Sequence, residues 1–168
     1  MILRRRQDRN SLAEVLQAFV FERVAVLVGP WREPMDPPER GARVEVRLLA
    51  DEPRRGSLSA AQRVVIDQPV FRADLFDQVD GPPGNLRSAH FHPRFEGVEP
   101  CDRHWPDEIR ADPTGWLETQ LGDLRGLLEE SGVDVADAAW VDVDAAALRV
   151  AVPDVVAAVD AAWDAARV

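Results

Sequence analysis

The chain has 168 residues, 46% of them apolar and 30% charged, with a formal net charge of −10. That is room for one domain with its own core, and it excludes a chain disordered throughout. All 20 basic residues are arginine and tyrosine is absent; this excludes Schiff-base and pyridoxal-phosphate enzymes, Walker A nucleotide sites and tyrosine acid–base chemistry.

The single cysteine cannot close an internal disulfide. The Arg, Ala, Val, Asp and Pro bias reads as coding in a GC-rich bacterial genome. Charge is unevenly spread: residues 1–106 hold 16 arginines and 16 acids, whereas 107–168 hold 4 arginines and 14 acids and carry the whole surplus. An acidic C-terminal part repels nucleic acid and offers a surface to a protein partner or a second copy of the chain. The first apolar stretch, Val15 to Val28, is broken by Gln17, Glu22 and Arg23. That pattern is neither a signal peptide nor a membrane span, so a cytoplasmic location is expected.

In chain order, "NSLAEVLQAF" reads as an N-terminal helix. Asn10 or Ser11 caps it, Ser11 and Glu14 fit a capping box, and Leu12, Val15, Leu16, Phe19 and Val20 share one face. "VAVLV" (24–28) fits either an extension of that helix or a buried strand. Residues 29–41, rich in proline and glycine, read as a loop. Strands are expected at 42–50, at about 60–67, at 69–76 and at 88–95, joined by short polar connectors as in an antiparallel meander.

Asp112 and Pro113 open a helix with Trp116, Leu117, Leu121, Leu124 and Leu128 inward, and Gly132 ends it. Residues 138–152 read as two short strands, and Pro153 as the start of a final helix with Val155, Val156, Val159 and Trp163 inward. The expectation is a single α+β domain over residues 1–168. It has a central antiparallel meander, an N-terminal helix and C-terminal helices; 1–106 supply helix plus sheet, and 107–168 the acidic, helix-rich part.

Chemistry concentrates in "SAHFHPRFEGVEPCDRHW", residues 88–105, which contains His90, His92, His104 and Cys101, every histidine and the only cysteine of the chain. Alternation along the strands puts Arg72 and Asp74 on one face and His90 and His92 opposite Phe91. If the two strands pair, all four polar side chains share the face away from the core.

Four readings compete. In the first, His90 and His92, with Cys101 or His104 from the following loop, hold Zn²⁺, structural or hydrolytic, supported by Asp74 and Arg72. In the second, His90, His92, Arg72 and Asp74 are the catalytic residues of a metal-free phosphodiesterase or ribonuclease-like site, with Arg87, Arg94 and Arg103 available to bind phosphate. In the third, the same arginines and histidines form a non-catalytic pocket for a small acidic ligand, Arg94 and Arg103 binding it. In the fourth, the face is exposed and its ion pairs are surface contacts without function. Elsewhere, Ser88 lacks a nucleophile elbow and the "GPPG" at 81–84 lacks a phosphate-loop context. Trp31 and Trp105, in loop-like stretches, could line a pocket.

Overall fold

A computed structural model describes residues 2–3, 16–34, 36–53, 56–61 and 63–167. Six strands form one sheet in sequence order: β1 (Ile2–Leu3), β2 (Leu16–Val20), β3 (Val24–Glu33), β4 (Glu39–Leu49), β5 (Ile66–Gln78) and β6 (His90–His92). Every neighbouring pair is antiparallel. A separate two-stranded ribbon, β7 (Arg94–Glu96) with β8 (Glu99–Cys101), follows directly. Helices α1 (Asp107–Ala111), α2 (Pro113–Gly122), α3 (Leu124–Glu130) and α4 (Ala139–Arg167) complete the fold. The architecture is α+β, with a central antiparallel meander and helices gathered in the C-terminal part. Among the described residues no helix is long and apolar enough to cross a membrane.

Alternation builds the core. Val26 lies opposite Val46, Val28 opposite Val44, Val44 opposite Ala73 and Val46 opposite Phe71, so one face of the sheet is a continuous apolar surface. Helices α2, α3 and α4 cover it with Leu117, Leu121, Leu124, Leu128, Leu148 and Val155, all fully buried. The β4–β5 approach is so close at one point that only glycine fits. A Cβ on Gly41 would sit 2.1 Å from the Leu75 carbonyl oxygen, which itself accepts a 2.8 Å hydrogen bond from Trp163 Nε1 of α4.

Several expected elements are corrected. Residues 16–20 are the strand β2, not the second half of a helix, and 10–15 lie outside the described residues. The β-branched run at 24–28 resolves as strand and pairs back on β2, so Phe19 lies opposite Val26. The presumed loop 29–41 is mostly ladder: β3 and β4 stay paired out to Glu33 and Glu39. Among the described residues there is no separate strand at 60–67; the end of that stretch merges into β5, and Pro69 sits opposite Arg47 where the β4–β5 register shifts, a position where a missing N–H is tolerated. The strand at 88–95 stops at Pro93 and resumes as β7.

Asp123 splits the expected long helix after 113 by capping α3 with its side chain on the Gly126 N–H. Gly132, at φ +85, follows the end of α3 as expected. Residues 139–152 are helix, not two strands, and Pro153 lies inside α4. The reason is periodic: Val141, Ala145, Leu148, Val152, Val155, Val159, Ala162 and Ala166 are buried at alternating four- and three-residue steps. Burying that unbroken stripe outweighs the one ladder hydrogen bond that proline removes.

A carboxylate from this helix closes the first hairpin of the described chain. Asp144 is 1% exposed and accepts from the backbone N–H groups of Glu22, Arg23 and Val24 at 2.9, 2.8 and 3.0 Å. Three donors in the β2–β3 turn thus find a charged acceptor inside the protein. Asp144→Ala is expected to lower unfolding free energy by about 3 kcal/mol; a urea-denaturation shift below about 0.5 kcal/mol would show that the clamp is dispensable.

Candidate metal centre

The face of the sheet opposite the helices carries the polar side chains. Antiparallel register places Arg43 opposite Asp74, Glu45 opposite Arg72, Arg72 opposite His92 and Asp74 opposite His90. Cross-strand partners point to the same side, so Arg43, Arg72, Asp74, His90 and His92 converge. The four residues expected to share this face do share it, in direct register. The face is not an exposed one, however: Asp74 is 1% exposed, and His90 and His92 are 3% each. The reading of solvated surface pairs is therefore set aside.

Asp74 is the hub. Arg43 donates to it through two nitrogens, Nε to Oδ1 at 2.6 Å and NH2 to Oδ2 at 3.2 Å. Arg72 Nε lies 3.2 Å from Oδ2, His90 Nε2 3.3 Å and His92 Nε2 4.0 Å. Burial would push this carboxyl up. The two guanidinium groups beside it, Arg43 and Arg72, more than offset that and hold it at about 2. Arg43 is itself held from behind, its guanidinium 3.6 Å from the centre of the Trp31 ring.

The histidine tautomers follow from their other nitrogens. His90 Nδ1 is 2.7 Å from the Ser88 carbonyl oxygen, and His92 Nδ1 is 3.2 Å from that of Cys101. A carbonyl can only accept, so each Nδ1 carries a hydrogen; in the neutral ring Nε2 then presents its lone pair. Burial, chiefly, together with nearby Arg72 and His90, lowers His92 to about 4, although the Cys101 carbonyl and Asp74 pull the other way. Its ring is therefore neutral at pH 7. Both Nε2 atoms are buried and neither has a hydrogen-bond partner among the described residues, since the His90 contact to Asp74 lies off the hydrogen-bond direction.

Three lone-pair donors, Asp74, His90 and His92, thus offer ligand atoms within 4.8 Å of one another. For metal bonds of ~2.0–2.1 Å, tetrahedral ligand atoms stand about 3.4 Å apart. The Asp74–His90 separation already fits, and the others need sub-ångström to ångström adjustments. This buried group could hold a metal ion.

The other expected residues are placed differently. Cys101 does not join the group; it contributes its backbone carbonyl, while its Sγ lies 3.9 Å from the Glu99 carbonyl oxygen. His104 pairs with Phe91 through reciprocal 2.9 Å backbone hydrogen bonds. That register turns its ring to the Phe91 side of the strand, 5.1 Å from the Phe91 ring, and turns its neighbours Arg103 and Trp105 toward the histidines. The Trp105 ring lies 4.7 Å from that of His90, and Arg103 lies 5.5 Å over Trp105. Arg94 points elsewhere, donating to the Glu130 carbonyl at 3.0 Å. Ser88 serves through its backbone.

A cavity of about 490 Å³ on the same face is lined by Leu16, Leu27, Trp31, Arg43 and Glu45 among others. It shares Arg43 with the Asp74 cluster but contains none of the three ligand residues. Arg43 is the main residue that sequence reasoning missed. Its signal was present: "RVEVR" alternates charge at the same period as "FRAD", and antiparallel pairing of the two matches Arg43 to Asp74 and Glu45 to Arg72.

No protein-family model matches the chain, and no curated protein or solved structure is significantly similar to it.

Acid should unfold the metal-free protein in two overlapping stages. The unfolded chain protonates His92 near 6.5 and the folded chain only near 4, so stability present above pH 6.5 is lost as pH falls toward 4. Asp74 adds a second loss, on the order of 2 kcal/mol, as pH falls from its ordinary 3.8 toward 2. In chelator, His92→Gln is expected to flatten the upper stage and leave the lower one; an unchanged slope between pH 6.5 and 4 would contradict this assignment.

Proposed function

We propose that this protein is a metalloprotein in which Asp74, His90 and His92 bind one Zn²⁺ ion in a hydrolytic rather than a structural role. The observation that carries the reading is the pair of buried Nε2 lone pairs. Each is fixed by a carbonyl on the far side of its ring, and both are turned toward one carboxylate. A carbonyl behind each imidazole is the outer-shell arrangement that orients histidine ligands. Without a cation among them, two lone pairs and a carboxylate oxygen repel one another; a divalent ion removes that repulsion.

Two imidazoles and one carboxylate suit zinc, and a ferrous ion also accepts that donor set. Structural zinc sites are closed by four protein ligands, whereas hydrolytic ones keep a position for water or substrate. Three protein ligands favour the second kind. The metal-free His/His acid–base reading is weaker here, because a neutral His92 with its proton committed to the Cys101 carbonyl has no proton to donate at Nε2.

Untagged protein is expected to carry or take up close to one equivalent of zinc in elemental analysis. The His90→Ala, His92→Ala double variant should lose it, while Cys101→Ser and His104→Ala should retain it. Loss of zinc in Cys101→Ser with the fold intact would assign the ligands differently. No uptake of zinc or ferrous iron by the native chain would end the metal reading.

A further inference from the structure

A dication at this site raises a charge problem that the described residues do not solve alone. Asp74 is the one acid among the ligands, and two guanidinium groups, Arg43 and Arg72, already lie against it. With the ion bound and both imidazoles neutral as its ligands, one carboxylate, two guanidinium groups and a dication leave the group three net positive charges. Glu45, the next acid along the face, is engaged by Arg47 at 2.8 Å. Arg103 adds a further cation at the rim, over the Trp105 ring that lies beside His90. Uncompensated buried charge is costly, so the balancing anion has to come with the ligand.

The donors for such an anion are present. Arg72 Nε is buried without a hydrogen-bond partner among the described residues, because its 3.2 Å approach to Asp74 lacks hydrogen-bond geometry. Its side chain is only 14% exposed, with the guanidinium over the Phe95 ring at 5.8 Å. Arg103 and Trp105, both exposed, stand at the outer side of His90. Guanidinium groups match the geometry of oxyanions. A dianion offsets two of the three positive charges and a carboxylate only one.

Building on the metal reading, we propose that the ion binds together with a phosphate-type oxyanion, held by Arg72 with Arg103 at the rim, and that the substrate class is phosphate esters. Neither histidine binds the anion directly; their lone pairs face the metal.

Cobalt(II)-substituted protein titrated with inorganic phosphate tests this, because the visible bands of cobalt report its own binding and any change in its ligands separately. Phosphate is expected to shift the bands with saturation at one per cobalt, and acetate to do so far more weakly. Arg72→Gln should keep the cobalt bands and weaken phosphate by about tenfold to a hundredfold, with Arg72→Lys recovering part of the loss. Arg103→Gln, at an exposed position, should weaken phosphate severalfold at low salt.

Cobalt bands that ignore phosphate would overturn the inference and leave the metal site standing. Undiminished phosphate binding in both glutamine variants would do the same, as would acetate binding as tightly as phosphate. Phosphate binding equally well to metal-free protein would refute the joint site, and failure of cobalt to bind at all would remove both readings together.

Discussion

Asp74 keeps a negative charge at a position almost closed to water, and the polar side of the sheet is organised around it. A buried carboxylate is tolerated only when its oxygens are satisfied, and here the satisfaction comes from two strands at once. Arg43 of β4 supplies a two-nitrogen grip and Arg72 of β5 a second charge, while His90 of β6 lies against Oδ2. The register of β4 and β5 is therefore fixed by electrostatics on one face as well as by apolar packing on the other. A slip of one residue would send Asp74 into the helix-covered core and Ala73 to the basic side.

The same arrangement separates two kinds of charge. The helical part of the chain is strongly acidic in sequence, yet its acids lie mostly on exposed helix faces, while the sheet gathers arginines around one carboxylate. A locally basic centre thus sits within a protein whose net charge of −10 gives its long-range field the opposite sign.

Much of this was legible in the sequence, and what was not has physical causes. Alternation sorted Arg72, Asp74, His90 and His92 onto one face because a strand's period does not depend on which neighbour it pairs with. Arg43 escaped because pairing β4 with β5 required knowing that the two are direct neighbours in the sheet, with the strand expected at 60–67 not between them. Cys101 and His104 looked like ligands by proximity along the chain. Antiparallel register with Phe91 turns His104 away, and Cys101 serves through its carbonyl, which no side-chain motif can signal. Within the helical layer, local reading at Pro153 obscured a stripe of buried residues that runs through it for the length of α4. At the N-terminal end, helical spacing puts Leu16, Phe19 and Val20 on one face, whereas in the strand Phe19 faces away from Leu16 and Val20. Pairing with the valine-rich β3 decided between them.

The Asp144 clamp has a consequence for how the chain reaches this structure. The turn it closes lies about 120 residues upstream. Until α4 has been synthesised and docked, three N–H groups of the β2–β3 turn lack the acceptor they have in the finished protein. Closing so long a loop costs entropy before its hydrogen bonds repay it. The first and last parts of the chain therefore mature together, and loss of the C-terminal helix would be felt at the opposite end of the sequence, in the hairpin that leads into the sheet.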